Sequence, residues 1–484
     1  MPLEVNIIWF RNDLRISDNP ALHESVNSGN ILPIYIFDSE VSEEAKIGGA
    51  SKFWLHNSLE SLNKALDNKL NIYIGNPKNI LTNLIKSQKF NIKSIFYNKI
   101  YEPFHIQNDN EIENELNALG VEIKSFNGSL LWDPEDIKKS DGTIYKVFTP
   151  YYRNGCSNAL KPRKPLPKPN KMNIINDTQN QTQISDLKLL PNIEWYKEIE
   201  EIWEIGEETA QNKLNDFLQN NITNYKDKRN FPNINGTSRL SPYLHFGEIS
   251  PNQIYYAALS ELEKYPEKSL GIDCFLSEIG WREFSYYLLY HFPELHNKNF
   301  QKSFDNFPWA YNEKLFQVWS KGMTGYPIVD AGMRELYRTG YMHNRVRMIV
   351  ASFLVKNLMI DWRYGAEWFF EHLLDADLAS NSASWQWVAG SGADAAPYFR
   401  IFNPVLQGEK FDNNGEYTKK YVPELQLLPT KYLFKPWEAP KEILEKAGII
   451  LGTIYPKPII DINISRKKAL EAYSTIKTMN IPTA

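Results

Sequence analysis

The chain has 484 residues, 42% of them hydrophobic and 23% charged, with a formal net charge of −4. That length exceeds one ordinary core and predicts two or three domains. The slightly acidic balance excludes a global basic field for nucleic acid, so any DNA contact has to rest on a local basic patch.

The N-terminus enters a strand-like run directly, with no charged leader, apolar stretch and cleavage site, and the chain is expected in the cytoplasm. Val5–Phe10, Ile31–Asp38, Leu70–Gly75, Ile92–Asn98 and Val121–Phe126 read as short strands. Helical patterns at Pro20–Asn27, Ser51–Asp67, Pro77–Lys86 and Gln107–Leu119 separate them. Strands alternating with helices predict a parallel sheet covered on both faces. The first strand is followed by RNDLRISDNPAL, so no glycine-rich dinucleotide fingerprint is present there.

From about Pro150 to Leu190 the composition turns to Pro, Lys, Asn and Gln, which cannot bury much apolar surface. This predicts an extended, solvated linker. Beyond Trp203 the pattern is helical: 206–220, Pro251–Tyr265, Cys274–Tyr290, Pro327–Thr339, Asn344–Leu358, Gly365–Leu374 and Pro440–Lys446. No run of about 18 apolar residues occurs, so no membrane span is expected. Cys156 and Cys274 are far apart, and the eight His lack ligand spacing, so no metal is expected.

Four constellations carry chemistry. Thr237, Ser238, Arg239, Leu240 and Ser241 precede a helix; hydroxyls, an Arg and free N–H groups suit a pyrophosphate, and equally an ordinary helix cap. In FLSEIGWREF, Glu278, Trp281, Arg282 and Ser285 share a helix face, which can hold a base by stacking and edge bonds or form a surface salt bridge beside a core Trp. In MHNRVRM, Asn344 and Met348 share a face, and Arg347 could pair with a buried acid such as Asp375. In the stretch from Asp375 to Pro404, two acids, Asn381, Trp385 and Trp387 sit in an apolar setting. Buried polar groups need partners, so this is either the wall of a ligand pocket or a buried hydrogen-bond network. Asn can donate or accept toward a redox-active ring nitrogen.

In this order, with WFRNDLR near the start and RIFNPVLQGEKFD near the end, the motifs resemble the DNA photolyase/cryptochrome family over essentially the whole chain. The resemblance implies a Rossmann-like α/β antenna domain with a five-stranded parallel sheet (1–132), a long linker (133–200) and an all-α C-terminal domain that binds FAD and DNA (201–484).

For FAD it implies Tyr225 and Thr237–Ser241 at the phosphates. Phe275, Glu278, Arg282, Arg347, Asp375, Ala376 and Asp377 line the rest of the cofactor, with Arg347 paired to Asp375 and Asn381 facing flavin N5. Trp385, Trp362 and Trp309 match the family's electron-transfer triad.

Glu278, Trp281, Asn344, Met348 and Trp387 match the branch that repairs cyclobutane pyrimidine dimers. Gly280 stands where many such enzymes have a larger apolar residue, as in the bacterial subgroup close to plant cryptochromes. Glu278, Asn344, Met348 and Asn381 are then the catalytic set. Trp281, Ser285 and Trp387 face the lesion, and Arg229, Arg282, Arg345 and Gln407 contact the DNA backbone.

The implied activity is light-driven carbon–carbon lysis of the dimer in UV-damaged DNA by a monomer. A blue-light photoreceptor and a (6–4) photolyase are the alternatives. The antenna is expected to hold 5,10-methenyltetrahydrofolate, or second an 8-hydroxy-deazaflavin, with His105 standing about where one folate-binding type has a Glu.

Overall fold

The computed structural model describes residues 2–40, 46–191, 193–395 and 400–478. The chain divides into two compact units. Unit 1 comprises Met1–Thr223, Ser238–Pro293 and Leu374–Asp377; unit 2 comprises Asn224–Thr237, Glu294–Leu373 and Leu378–Ala484.

Unit 1 contains strands β1 (Leu3–Phe10), β2 (Ile31–Phe37), β3 (Asn71–Ile74), β4 (Phe90–Asn98) and β5 (Glu122–Phe126). They form one sheet of order β3-β2-β1-β4-β5, parallel throughout. The crossovers carry helices α1 (Pro20–Asn27), α2 (Gly49–Ala65), α3 (Pro77–Lys86) and α4 (Pro103–Ala118). Helix α1 starts where it does because the Asn19 side chain accepts from Leu22 N and Pro20 presets the first turn. Asn76 and Pro77 do the same for α3. One face of the sheet packs Val5, Ile7, Leu32, Ile34 and Ile95 into a common core with Leu116 of α4.

In a sheet of this order the crevice lies at the carboxyl ends of the strands where the winding reverses, between β1 and β4. Here the protein fills that crevice itself. Asp13 Oδ2 accepts from Asn98 Nδ2 (2.6 Å) and Asn19 Nδ2 (3.0 Å), and Arg11 Nη1 pairs with Asp109 at 2.7 Å.

The segment expected to be a solvated linker is tied down. Ile31 N donates to Asn173 O (3.0 Å) and Ile175 N to Ile31 O (2.8 Å), a bridge to the start of β2. The Asp177 carboxylate accepts from Lys89 and Tyr73, and its backbone N–H donates to Asn71 Oδ1. Buried Asp18 accepts from Arg163, Leu166 N and Ser250 Oγ. The segment is extended and mostly exposed, as its composition predicts, and these bonds tie it to the α/β layer at a few points, which composition alone does not reveal.

The helical part of unit 1 includes α5 (Glu207–Asp216), α6 (Ser241–His245), α7 (Pro251–Lys264) and α8 (Ser269–His291). Unit 2 is helical: α9 (Glu313–Ser320), α10 (Pro327–Thr339), α11 (Asn344–Ser352), α12 (Trp362–His372), α13 (Leu378–Ala389), α14 (Pro404–Phe411) and α15 (Ile462–Thr478). The single helix expected over Asn344–Leu358 is α-helical only to Ser352, and Phe353–Asn357 widens into a π turn. A hydrophobic period near four cannot distinguish the two.

Candidate active site

Helix α13 carries Asn381, Trp385 and Trp387. Asn381 and Trp385 are one turn apart on one face, whereas Trp387 lies about 200° around the helix from Trp385. Between them Gln386 is fully buried and anchors the helix. Its Nε2 donates to Leu295 O (2.7 Å) and Lys298 O (2.9 Å), and its Oε1 accepts from Phe300 N (2.9 Å) and Ser391 Oγ (3.3 Å). The two tryptophans are thereby held in divergent directions.

The Trp385 indole is buried against α12. A Cβ on Gly365 would lie 2.2 Å from Trp385 Cη2, so only glycine admits the ring there. Phe369 meets the indole edge at 4.9 Å and 72°. Asn381 Nδ2 donates to Ala366 O at 2.9 Å. A backbone carbonyl can only accept, so the amide NH2 faces Ala366 and Oδ1 faces the other way as an acceptor. Half-buried Trp387 has no described ring packed on it.

On the same helix as Gly365, Trp362 is fully buried and donates Nε1 to Asn299 Oδ1 (3.0 Å). Trp309 is half-buried, its ring 4.3 Å from Phe307, within a cluster that includes Ala469 and Ile476 of α15. Its Nε1 has no partner among the described residues. Sequence reading gave Trp319 no role of its own. That ring is fully buried on α9, 6.4 Å from Trp385 and 5.6 Å from Phe316, which is 6.3 Å from the partly exposed Tyr364. The only signal was a Trp at the apolar position of a short amphipathic helix, where it reads as core.

Asn344 opens α11 and is exposed, with half-buried Met348 one turn on. His343 caps the helix, its Nδ1 accepting from Arg345 N at 3.2 Å. Burial first, then Arg347, Arg345 and Arg229, push the imidazole down to about 4, so it is neutral at pH 7. Arg345 donates to Asn230 Oδ1 (2.6 Å) and lies 4.4 Å over Phe411, and Arg229 lies 5.5 Å over the buried Tyr225. Arg347 Nε donates to Met342 O at 2.7 Å. Arg229, Arg345 and Arg347 thus gather around His343. Thr237 and Gln407, also in unit 2, are half-buried.

In unit 1, Ser238–Ser241 lead into α6. Arg239 adopts φ +52°, a left-handed conformation rare for a non-glycine residue, and its guanidinium lies 4.4 Å over Trp203. Backbone held this way tends to mark a functional turn. Leu240 is buried beneath it, and Ser241 Oγ donates to Asp375 Oδ2 at 2.6 Å. Asp377 accepts from Tyr286 Oη, and Asp375, Ala376 and Asp377 are all buried. Burial pushes Glu102 up to about 8, with Asp377 adding to the shift. Phe275 is buried against Phe217 at 4.8 Å.

On α8, half-buried Glu278 and Trp281 lie about one turn apart. Two residues expected to touch DNA are turned inward. Arg282 Nη1 donates to Ser129 O (2.9 Å) and contacts Glu283 Oε1 (3.4 Å), with its side chain 12% exposed. Ser285 is buried and closes its hydroxyl on Trp281 O at 2.9 Å. Helical spacing gave both the right face but not their partners. Residues 396–399 of the Asp375–Pro404 stretch lie outside the described residues.

Near the expected antenna position, His105 contacts Arg11 Nη2 at 3.3 Å, and burial followed by Arg11 pushes it down to about 3. That position is occupied by a neutral imidazole beside an Arg–Asp pair.

Residues 6–170 match the family description of DNA photolyase, and residues 275–475 match that of the FAD binding domain of DNA photolyase. A deoxyribodipyrimidine photo-lyase of Agrobacterium fabrum is 45% identical over 97% of this chain and 98% of its own. The chain belongs to the DNA photolyase/cryptochrome family.

Within that family it is also 36% identical to cryptochrome-2 of Arabidopsis thaliana, over 98% of this chain and 79% of that one. The crystal structure of a bacterial class III photolyase from Agrobacterium tumefaciens superposes with a TM-score of 0.94 at 45% identity, covering 99% of this chain and 98% of that one. A parallel five-stranded sheet and a helical FAD-binding region are thus shared with solved photolyases. Among the described residues no helix is long and apolar enough to cross a membrane.

Proposed function

We propose that this chain repairs cyclobutane pyrimidine dimers in DNA by a light-driven carbon–carbon lyase reaction, acting as a cytoplasmic monomer. The observation that carries this reading is the 45% identity to a deoxyribodipyrimidine photo-lyase over nearly all of both chains.

The donor set fits FAD. Hydroxyls of Tyr225, Thr237, Ser238 and Ser241, with Arg239, suit the phosphates. Phe275, Glu278, Arg282, Arg347, Asp375, Ala376 and Asp377 suit the remainder. Asn381, its amide fixed by Ala366 O, offers Oδ1 to a flavin N–H. When bound and reduced, FAD supplies the photoexcited electron that splits the dimer and takes it back afterwards.

The chain's own residues do the rest. The lesion has to leave the duplex to be reached. Trp281 and Trp387 stack on it, Met348 packs against it, and Glu278 and Asn344 bond its base edges. Arg229, Arg345 and Gln407 hold the DNA backbone and supply the salt-dependent part of binding. Trp385, Trp362 and Trp309 are the oxidisable rings that bring electrons inward during activation.

For the antenna, folate is the first choice and a deazaflavin the second.

A blue-light photoreceptor is the second reading, favoured by the identity to cryptochrome-2. The two separate on one assay: blue light on the reduced holoprotein with dimer-containing DNA, scored by restoration of thymines. Repair supports the enzyme. Intact, reduced FAD with no repair supports the receptor.

A further inference from the structure

Gly280 lies inside α8, where glycine is less favourable than alanine. The structure supplies the reason for it. A Cβ at that position would fall 2.6 Å from both Cδ2 and Cε2 of Tyr152, so the missing side chain makes room for a ring from another segment.

That segment is the turn Phe148–Pro150 and the π-helical Tyr151–Cys156 that follows it. It delivers two rings to α8. Tyr152 stacks on Phe148 at 5.5 Å with planes 10° apart, and Phe148 stacks on Trp281 at 3.9 Å and 12°. Three near-parallel rings therefore run Tyr152, Phe148, Trp281. Phe284 meets Trp281 edge-on at 6.0 Å and 72°, blocking rotation from the side. Arg153 contacts Asp273 on the same helix at 3.4 Å.

A Trp has two torsions to fix, and a ring already clamped on one face loses little further freedom when a base stacks on the other. We propose that Phe148 and Tyr152 are positioning residues that hold the Trp281 plane for the lesion and so raise selectivity for damaged DNA. This rests on the reading of Trp281 as a lesion-stacking ring.

The test compares holoprotein variants for affinity to one oligonucleotide with and without a thymine dimer. Phe148→Leu keeps volume but removes the stacked ring, and is expected to weaken dimer binding roughly three- to tenfold, the scale of one aromatic pair. Binding to undamaged DNA and photoreduction of FAD should not change. Tyr152→Leu should act in the same direction to a smaller extent, and Phe148→Tyr and Tyr152→Phe should restore selectivity.

Tyr152→Leu at the half-buried end of the stack, with FAD bound, keeps the test valid if Phe148→Leu does not fold. Equal losses on both oligonucleotides, or none on the dimer, would overturn the proposal. Trp281→Ala separates the two layers. If it leaves dimer affinity unchanged, the lesion role of Trp281 itself fails. If it weakens binding while the Phe148 and Tyr152 variants do not, only the positioning role fails.

Discussion

The indole of Trp385 rests on the bare backbone of Gly365, in a space where a methyl group would come within 2.2 Å of Cη2. Gly365 belongs to α12, which begins at Trp362, so the contact registers two of the proposed electron-carrying rings on packed helices. Ala366, the next residue, fixes the amide of Asn381. One short stretch of α12 thus sets both the proximal ring and the residue proposed to face the flavin.

Gly365→Ala is therefore expected to destabilise the protein by about 2–3 kcal/mol through overpacking. FAD photoreduction should slow in the fraction that folds. Chemical denaturation and illuminated absorption spectra measure the two effects. A stable variant with normal photoreduction would show that the ring tolerates displacement.

Trp385→Phe should abolish photoreduction of oxidised FAD while leaving repair by chemically reduced enzyme intact. Because Trp319 also contacts Trp385, at 6.4 Å, Trp362→Phe alone should leave residual photoreduction. Adding Trp319→Phe should remove it. Transient absorption following the flavin and tryptophan bands distinguishes these cases.

Gln386 makes four hydrogen bonds in a fully buried setting. Gln386→Leu leaves two carbonyls, an N–H and the Ser391 hydroxyl without this partner. It should cost about 3–5 kcal/mol, since each unpaired buried group costs about 1–3 kcal/mol. The loss should appear as a lower denaturation midpoint with an unchanged slope.

Glu248 is fully buried, accepts from Trp54 Nε1 at 3.0 Å, and is pushed up to about 8 by burial. The folded chain keeps this proton where the unfolded chain has lost it. Stability therefore declines as pH rises from about 5 to 8, by at most about 1.4 kcal/mol per pH unit for one proton. Glu248→Gln should flatten that decline in melting curves across the same range. An identical slope in both proteins would mean that Glu248 is ionised when folded.

Arg345→Gln should weaken damaged and undamaged DNA alike and reduce the salt slope of binding by about one. Titrations at several salt concentrations measure it.

The alternating strands and helices of the α/β layer were legible because period and turn residues act locally; α1, α3 and α10 begin and end where their caps and prolines predict. What the sequence hid depends on partners distant in the chain. The 150–190 segment has a linker's composition, yet Asp177 and Asp18 bind it to the sheet layer. Arg282 and Ser285 lie on the expected helix, but Ser129 O and Trp281 O claim their polar atoms. Gly280 looked like a departure from the family pattern until Tyr152 was seen to fill its space. Separate tasks for Trp385 and Trp387 were legible through the family resemblance, and the two-residue offset, about 200° around a helix, accords with them.

The central claim is light-driven dimer repair, and one measurement tests it most directly. Reduced, FAD-loaded protein is mixed with an oligonucleotide carrying a single thymine dimer and exposed to blue light, and the recovery of thymine absorbance is followed. The account predicts recovery that requires both light and reduced FAD, and that persists in Trp385→Phe once the flavin is reduced chemically. Bound, reduced FAD with full illumination and no recovered thymine would contradict it.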